Sequence, residues 1–189
     1  MRYCEKCGAA FRFARICPRD EAPLTAAAFD PLLGRVLGNR YRILDRIGAG
    51  GMGQVYRAAH TRIAAVFAVK VVWGDYAYDQ AMQARFVREA EVASCLQSRH
   101  IVRVVDFAED SAALPYLVME YLDGPTLHEV IAKSKKIRPS RAVEIAKRIA
   151  RGLSHAHQRG VVHRDLKPEN IVLVDEEDER DVVKILDFG

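Results

Sequence analysis

The stretch at residues 161–189 constrains this chain more than any other, because polar side chains there alternate with short apolar runs. The runs VVH, IVLV and VVKIL are rich in Val and Ile and are typical of buried β-strands. Four polar groups stand between or after these runs, namely Asp165, Lys167, Asn170 and Asp187. Polar groups that follow strand ends are held in position, which indicates a functional site rather than a solvated charge run.

The composition is that of an ordinary soluble globular protein, with 50% hydrophobic and 29% charged residues. The net charge of +4 is spread without a long basic block, which argues against nucleic acid as the main partner. The longest apolar stretch, residues 63–73, carries Lys70, so no membrane-spanning segment is expected. The N-terminus lacks the apolar core of a secretory signal, and we therefore expect a cytoplasmic protein.

Three of the four cysteines lie within the first 17 residues. In a reducing cytosol this spacing favours a metal site over a disulfide framework. Cys4 and Cys7 form one half of a zinc knuckle, and Cys17 and Asp20 repeat the two-residue spacing with an aspartate in the fourth position. We predict a structural zinc site at these four residues. A metal-free tail with incidental thiols and a thiol redox pair are the alternatives.

Changes in composition divide the N-terminal part of the chain. Residues 1–25 look like a separate unit around the cysteines, and residues 26–38 are predicted to be a linker with Pro31, Gly34 and Gly38 as chain breaks. The Leu and Val residues of this linker are expected to pack on the domain that follows.

A glycine-rich turn is predicted between two strands within residues 41–60, with Gly48, Gly50 and Gly53 in the pattern GxGxxG and Val55 after it. Glycines let backbone N–H groups approach phosphate oxygens closely. The pattern alone also occurs in dinucleotide-binding folds, where a helix follows the turn. A strand follows here, which favours a phosphate-binding loop of a different fold.

Lys70 stands in the middle of the next predicted strand, residues 64–73. A buried lysine is costly without an anionic partner, so we expect a bound anion or a carboxylate near it. A lysine that reaches the solvent from a sheet edge is the alternative. In the helix predicted over residues 79–97, Glu89 and Glu91 are the two candidate carboxylate partners of Lys70. Glu89 lies beside the apolar stripe, whereas Glu91 lies about 200° further round the helix.

The rest of the chain alternates strands and helices. We predict strands over residues 101–107 and 114–120, a chain break at residues 123–125, and helices over residues 126–133 and 140–159. Residues 174–184, with the run DEEDERD, are expected to form only a solvated hairpin turn.

Five sequence patterns occur in an order that resembles the bacterial serine/threonine protein kinases. They are the glycine-rich turn, AVK at residues 68–70, the helix glutamate, HRDLxxxN at residues 163–170 and DFG at residues 187–189. The resemblance covers residues 39–189 and implies an α+β, protein-kinase-like fold. Residues 39–122 would form a five-stranded antiparallel small lobe with one helix, and residues 123–189 would begin a mainly helical large lobe. Residues 1–25 resemble the zinc ribbons found ahead of some bacterial kinase domains.

The resemblance implies transfer of the γ-phosphate of ATP to a Ser or Thr hydroxyl of a protein substrate. Asp165 would accept the proton of that hydroxyl, and Lys167 would reach the γ-phosphate. Lys70 would hold the α- and β-phosphates, with Glu89 as its partner. Asn170 and Asp187 would be the Mg²⁺ ligands. The nucleotide would contact a larger set, comprising Gly48, Ala49, Gly50, Gly51, Met52, Gly53, Val55, Ala68, Lys70, Met119, Glu120 and Leu122.

The resemblance reaches its end at Gly189, before the activation segment and the later large-lobe helices of the family. We therefore expect an incomplete catalytic domain. A non-catalytic nucleotide-binding or docking module and a truncated product without function are the alternatives.

Overall fold

The structure is a computed structural model that describes residues 2–26, 30–49, 53–72, 74–77, 79–109, 114–134, 136–177 and 179–188. Gly50, Gly51 and Met52 of the glycine-rich turn and Gly189 of DFG lie outside the described residues. The chain divides into two compact units. The first comprises Met1–Arg88 and Val104–Tyr121, and the second comprises Glu89–Arg103 and Leu122–Gly189.

The first unit is built on antiparallel sheets. A two-stranded sheet pairs β1 (Arg2–Tyr3) with β2 (Ala10–Phe11). The main sheet, within the described residues, contains six strands in the order β3-β4-β5-β6-β8-β7. Their bounds are Val36–Leu37 for β3, Tyr41–Ala49 for β4, Gly53–His60 for β5, Val66–Val72 for β6, Val104–Glu109 for β7 and Pro115–Glu120 for β8. The five predicted strands are therefore present, and β3 adds a sixth from the segment predicted as a linker.

The linker reaches one face of this sheet through Asp30 and extends its edge through β3. On β5, Gln54, Tyr56 and Ala58 alternate toward that face and are all buried. The Tyr56 hydroxyl donates to Asp30 Oδ2 at 2.7 Å, and burial raises the pKa of Tyr56 above its usual range. Leu32 and Leu37 are 1% exposed. Leu33 and Val36 of the same segment are exposed, so only part of its apolar side chains is buried.

Two helices follow β6. Helix α1 (Gly74–Ala77) was not expected from the sequence, whereas α2 (Gln80–Ser94) lies within the predicted range of residues 79–97. Asp79 caps α2, because its Oδ1 accepts hydrogen bonds from Ala81 N at 2.9 Å and Met82 N at 3.1 Å. Phe86 is buried on the predicted apolar face and packs on Phe107, with ring centroids 5.6 Å apart.

The second unit combines two helices with a hairpin. Helix α3 spans Leu127–Ser134, helix α4 spans Pro139–His157, and a short 3₁₀ helix at Pro168–Asn170 precedes the antiparallel strands β9 (Ile171–Glu176) and β10 (Glu179–Ile185). Gly152 of α4 lies against β10, and a Cβ there would lie 2.8 Å from Ile185 Cδ1. The core beneath contains Leu96, Ile101, Val130, Ile145, Ala156, Ile171, Leu173, Val183, Ile185 and Phe188.

The acidic run of the hairpin is not merely solvated, which corrects the expectation for residues 174–184. Arg141 of α4 forms a two-point ion pair with Asp181, at 2.7 and 2.8 Å. Glu179 accepts from Arg148 at 2.6 Å and from Arg99 at 2.6 Å. The arginines lie at least 30 residues away in sequence, which is why the charge run by itself suggested only solvent contact.

Among the described residues, no helix combines the length and the apolar character needed to cross a membrane.

Candidate active site

Strand register places four of the predicted nucleotide-contacting residues on one face of the main sheet. Val55 on β5 is directly opposite Lys70 on β6, and Ala68 on β6 is directly opposite Met119 on β8. Because directly opposed residues of antiparallel strands point to the same side, and residues two apart share a face, these four side chains form one patch. This is the face opposite Gln54 and Tyr56.

Gly53 begins β5 and leaves no room for a side chain. A Cβ at this position would lie 2.2 Å from the carbonyl oxygen of Val71, so any other residue would push β5 away from β6. On the preceding strand, Gly48 pairs with Val55 and Ala49 pairs with Gln54. The described parts of the glycine-rich turn are therefore the ends of two paired strands, as predicted.

Lys70 is 7% exposed, so it is not the solvent-reaching edge lysine of the alternative interpretation. Of the two candidate glutamates in α2, Glu89 is half-buried and Glu91 is exposed, which agrees with the choice of Glu89 on helical periodicity. Glu120 ends β8, and Leu122, the first residue of the second unit after β8, is half-buried.

The loop between α4 and β9 brings three of the predicted residues together. Lys167 Nζ lies 2.6 Å from Asp165 Oδ2. Asn170 Nδ2 donates to the carbonyl oxygen of Asp165 at 2.8 Å and to its Oδ2 at 3.4 Å. Because the amide nitrogen of Asn170 is used in this way, its Oδ1 is the atom available to a cation.

The charges in this loop reinforce one another. The hydrogen bond from Lys167 lowers the pKa of Asp165, and the same contact raises the pKa of Lys167. Asp187 acts on Lys167 electrostatically in the same direction. Both Asp165 and Asp187 are exposed, so they are accessible to a ligand. The arrangement keeps a carboxylate ionised and a lysine protonated around neutral pH.

His163 was not identified as a site residue from the sequence, although it is the first letter of the HRD pattern. Its Nε2 lies 2.8 Å from the carbonyl oxygen of Leu186, and its Nδ1 accepts from the N–H of Asp165 at 3.3 Å. These partners assign the proton to Nε2. The His163 ring also packs on Phe188, with centroids 4.7 Å apart.

The backbone around His163 is strained at two places. Arg164 has φ +64° and Asp187 has φ +50°, values that L-residues other than glycine rarely adopt. Such conformations cost about 1 kcal/mol or more each and persist only where the surroundings impose them. At Arg164 a backbone hydrogen bond from Asp165 N to His163 O at 2.8 Å closes the turn, and the His163 ring adds contacts to Asp165 N and Leu186 O, next to the two strained residues.

The N-terminal cysteine cluster is a separate site. The Sγ atoms of Cys4, Cys7 and Cys17 and a carboxylate oxygen of Asp20 all lie within 4.8 Å of one another. The Cys7 and Cys17 sulfurs are 3.8 Å apart, and Asp20 Oδ2 lies 3.2 Å from Cys4 Sγ and 3.5 Å from Cys17 Sγ. Burial raises the pKa of the Cys4 thiol, and hydrogen bonds from the Cys7 and Cys4 thiols lower the pKa of Asp20.

Three of these distances are close to those of a tetrahedral zinc site. Two sulfur ligands about 2.3 Å from a zinc ion lie about 3.8 Å apart, and a sulfur and an oxygen ligand lie about 3.5 Å apart. The two halves also share a turn geometry, because Gly8 N donates to Cys4 O at 2.8 Å and Glu21 N donates to Cys17 O at 3.0 Å. Asp20 therefore occupies the position in its turn that Cys7 occupies in the first.

Comparison with known proteins identifies the family. Residues 41–189 match the family model described as Protein kinase domain, and the chain belongs to this family. It is 42% identical over 158 residues to a probable serine/threonine-protein kinase of Streptomyces coelicolor, a match that covers 82% of this chain and 23% of that protein. It is 40% identical over 158 residues to the serine/threonine-protein kinase PrkC of Bacillus subtilis, covering 84% of this chain and 24% of that protein.

A solved structure agrees with this assignment. The crystal structure of the Mycobacterium tuberculosis PknI kinase domain is similar with a TM-score of 0.68 and 32% identity, over 82% of this chain and 62% of that one. The predicted protein-kinase-like fold and the resemblance to bacterial serine/threonine kinases are confirmed. The chain spans about a quarter of the length of the Streptomyces and Bacillus kinases.

Proposed function

We propose that the protein is a serine/threonine protein kinase that transfers the γ-phosphate of ATP to a Ser or Thr hydroxyl of a protein substrate. The observation that carries this proposal is the loop in which Asp165, Lys167 and Asn170 are hydrogen-bonded to one another. Phosphoryl transfer depends mainly on positioning and on charge stabilisation, which are the properties of this loop.

Each residue has a role in the proposed reaction. The Asp165 carboxylate, held ionised by Lys167, orients the substrate hydroxyl and accepts its proton, while the ammonium of Lys167 neutralises charge on the transferred phosphoryl group. Lys70, buried on the sheet face with Val55, holds the α- and β-phosphates, and Glu89 orients it. The glycine-rich turn, residues 48–53, covers the phosphates with backbone N–H groups.

Asn170 and Asp187 offer hard oxygen ligands suited to Mg²⁺. Asn170 Oδ1 is left for a cation by the hydrogen bonds of its Nδ2, and the Asp187 carboxylate is exposed. When bound, Mg²⁺ supplies charge neutralisation for the phosphate oxygens. The backbone of residues 120–122 would contact the adenine ring, with Met119 beside it.

A transfer assay with γ-labelled ATP and Mg²⁺, using the full-length protein and a generic Ser/Thr-containing protein, tests the proposal. Asp165→Asn removes the proton acceptor and is expected to reduce transfer by about 10²- to 10⁴-fold. Glu144→Gln is the matched control, because Glu144 pairs with Lys147 on the exposed surface of α4. Equal transfer by Asp165→Asn and the unaltered protein would overturn the proposal. Nucleotide binding without transfer would support a non-catalytic binding module.

We also propose that Cys4, Cys7, Cys17 and Asp20 hold a structural Zn²⁺. The support is the agreement of their distances with tetrahedral coordination and the shared geometry of the two turns. Binding would release the protons of the coordinating thiols, and burial of all three cysteines is typical of a closed structural site. Metal analysis of the purified protein, with about one zinc per chain expected, tests this. A stoichiometry near zero after refolding with excess Zn²⁺ would contradict it.

The expected location of the protein is the cytoplasm, where ATP and reduced cysteines are available. Its partners are ATP and a Ser- or Thr-containing protein.

A further inference from the structure

Asp75 of α1 holds the end of strand β2 through three consecutive backbone amides. Its Oδ2 accepts from the N–H of Arg12, and its Oδ1 accepts from Ala14 N at 3.1 Å and from Phe13 N at 3.4 Å. Hydrogen bonds from backbone N–H groups to a carboxylate are about twice as strong as neutral ones. Removing this single side chain would leave three amides of the cysteine segment without their acceptor.

Packing around Asp75 reinforces this contact. The ring of Phe11, which is 0% exposed, lies against Gly74 so closely that a Cβ on Gly74 would be 2.3 Å from Phe11 Cζ. Tyr76, the residue that follows Asp75, packs against Tyr3 and Ala10. Gly74 and Tyr76 of α1 therefore contact the small sheet formed by β1 and β2. Asp75, between them, contacts residues 12–14, which directly follow β2.

The small sheet is continuous with the cysteine cluster. Cys4 directly follows β1, and its N–H donates to the carbonyl oxygen of Ala9 at 2.9 Å, just before β2. Arg35 Nη1 donates to the carbonyl oxygen of Cys7 at 2.6 Å and so fixes the same turn from the linker. An ion bound by the cysteines would order the turn that connects β1 to β2, and β2 is the strand that Asp75 holds.

Helix α1 is also the connection between the Lys70 strand and helix α2. A single residue, Trp73, separates β6 from α1 in the sequence. At the other end, Asp79 N donates to Tyr76 O at 3.1 Å and Gln83 Nε2 donates to Ala77 O, which joins α1 to the start of α2. Helix α1 is therefore directly connected to both elements that carry proposed phosphate-site residues.

We propose that Asp75 is a positioning residue that couples metal binding at the cysteine cluster to nucleotide binding by the Lys70 strand. This inference rests on the proposed function, since it requires both ligands to bind. Coupling between two sites is reciprocal, so a metal that tightens nucleotide binding is itself bound more tightly when the nucleotide is present. Asp75 contacts no reacting group and acts only through β2 and α1.

The test measures the Kd for Zn²⁺, by competition with a coloured chelator, with and without a saturating non-hydrolysable ATP analogue and Mg²⁺. In the unaltered full-length protein the analogue is expected to lower the Kd for Zn²⁺ by about 5-fold or more. In Asp75→Ala each ligand still binds, but the analogue changes the Kd for Zn²⁺ by less than about 2-fold. The fluorescence of Trp73, the single tryptophan, provides a second readout of metal addition that does not depend on activity.

Matched variants separate coupling from folding. Asp45→Ala removes another carboxylate of the first unit, which pairs with Arg57, and is expected to leave the coupling unchanged. If Asp75→Ala does not fold, as judged by circular dichroism, Asp75→Asn takes its place, since it keeps the side-chain shape and one acceptor oxygen. It is expected to show weakened coupling.

The remaining outcomes distinguish failure of the Asp75 proposal from failure of the proposed function. Binding of both ligands to the unaltered protein with no mutual effect overturns the role of Asp75 and leaves the proposed function intact. Coupling that survives in both Asp75 variants overturns it as well. Failure of the single-ligand titration with Zn²⁺ or with the nucleotide removes the premise, and the titration that fails shows whether the zinc site or the kinase site is at fault.

Discussion

Glu21 occupies in the second cysteine turn the position that Gly8 occupies in the first. Gly8 lies four residues after Cys4 and has φ +79°, while Glu21 lies four residues after Cys17 and has φ +50°. Each N–H donates to the carbonyl oxygen of the cysteine that begins its turn. The turn geometry therefore requires a left-handed residue in both halves, and only one half has the glycine that adopts it without strain.

Replacing Glu21 by glycine is expected to stabilise the protein. The left-handed conformation costs a non-glycine residue about 1–2 kcal/mol, and Glu21→Gly relieves most of it. Part of the gain is offset by the greater freedom of glycine in the unfolded chain. We expect the Tm of the zinc-loaded protein to rise by about 2 °C, measured by calorimetry. Gly8→Ala is expected to lower the Tm, both because of the left-handed conformation and because the new Cβ would meet Arg35 Nη1. An unchanged Tm in Glu21→Gly would contradict the equivalence of the two turns.

Asp20 is expected to set the zinc affinity. Asp20→Cys supplies a fourth thiolate of the kind that most structural sites use and should lower the Kd for Zn²⁺, whereas Asp20→Ala should raise it. Loss of residues that only support zinc ligands costs about 10- to 100-fold in affinity, so loss of a direct ligand should cost at least that much. Chelator competition measures both variants. Equal affinity for all three proteins would show that Asp20 is not a ligand.

His163 is expected to control kcat rather than nucleotide affinity. His163→Phe keeps an aromatic ring beside Phe188 but removes the hydrogen bonds to Leu186 O and from Asp165 N. We expect a loss of about 1–3 kcal/mol of stability and a fall in kcat with little change in the KM for ATP. Steady-state kinetics of the full-length protein measure this split. His163→Ala, which also removes the ring, should be less stable than His163→Phe.

The ion pair between Asp181 and Arg141 is expected to make stability depend on pH in the acid range. The hydrogen bonds from Arg141 lower the pKa of Asp181 below its ordinary value of 3.8. The ion pair therefore contributes in full above that ordinary value, and its contribution is lost as the pH falls through the lower pKa of the folded state. Because the Arg141 side chain is 40% exposed, Asp181→Asn should lose about 1 kcal/mol or less at neutral pH and show less acid destabilisation.

Thermal melts between about pH 2 and pH 6 test this expectation. Asp123→Asn is the control, because Asp123 is exposed at the chain break after β8. It should follow the pH dependence of the unaltered protein. A variant at Asp181 whose acid destabilisation equals that of the unaltered protein would show that the ion pair does not contribute.

Much of the site could be predicted because its signals are local. Lys70 stands in a continuous apolar run, residues 64–73, which by itself predicts a buried strand. The 3.6-residue period of α2 placed Glu89, and not Glu91, beside the apolar face, and the structure agrees in the exposure of the two side chains. The assignments of catalytic and metal-binding roles stay predictions.

Other features depend on contacts between residues that are distant in sequence. Asp181 is 40 residues from Arg141, and Asp75 is more than 60 residues from the amides that it caps. A charge in either place looks solvated because the sequence does not show what packs against it. His163 belongs to a recognised pattern, but its hydrogen bond to the carbonyl oxygen of Leu186 forms only when the chain folds back on itself.

The amino-acid sequence alone determined five strands of the main sheet, the helices α2, α3 and α4, and which residues are candidates for the catalytic loop and the cysteine site, since periodicity and spacing are properties of neighbouring residues. Tertiary structure alone decided that Asp30 of the linker reaches the sheet, that Asp75 ties the cysteine segment to α1, and that the His163 ring contacts both Leu186 and Asp165. Hydrogen bonds and ion pairs of this kind form only when folding brings distant groups within about 3 Å of one another.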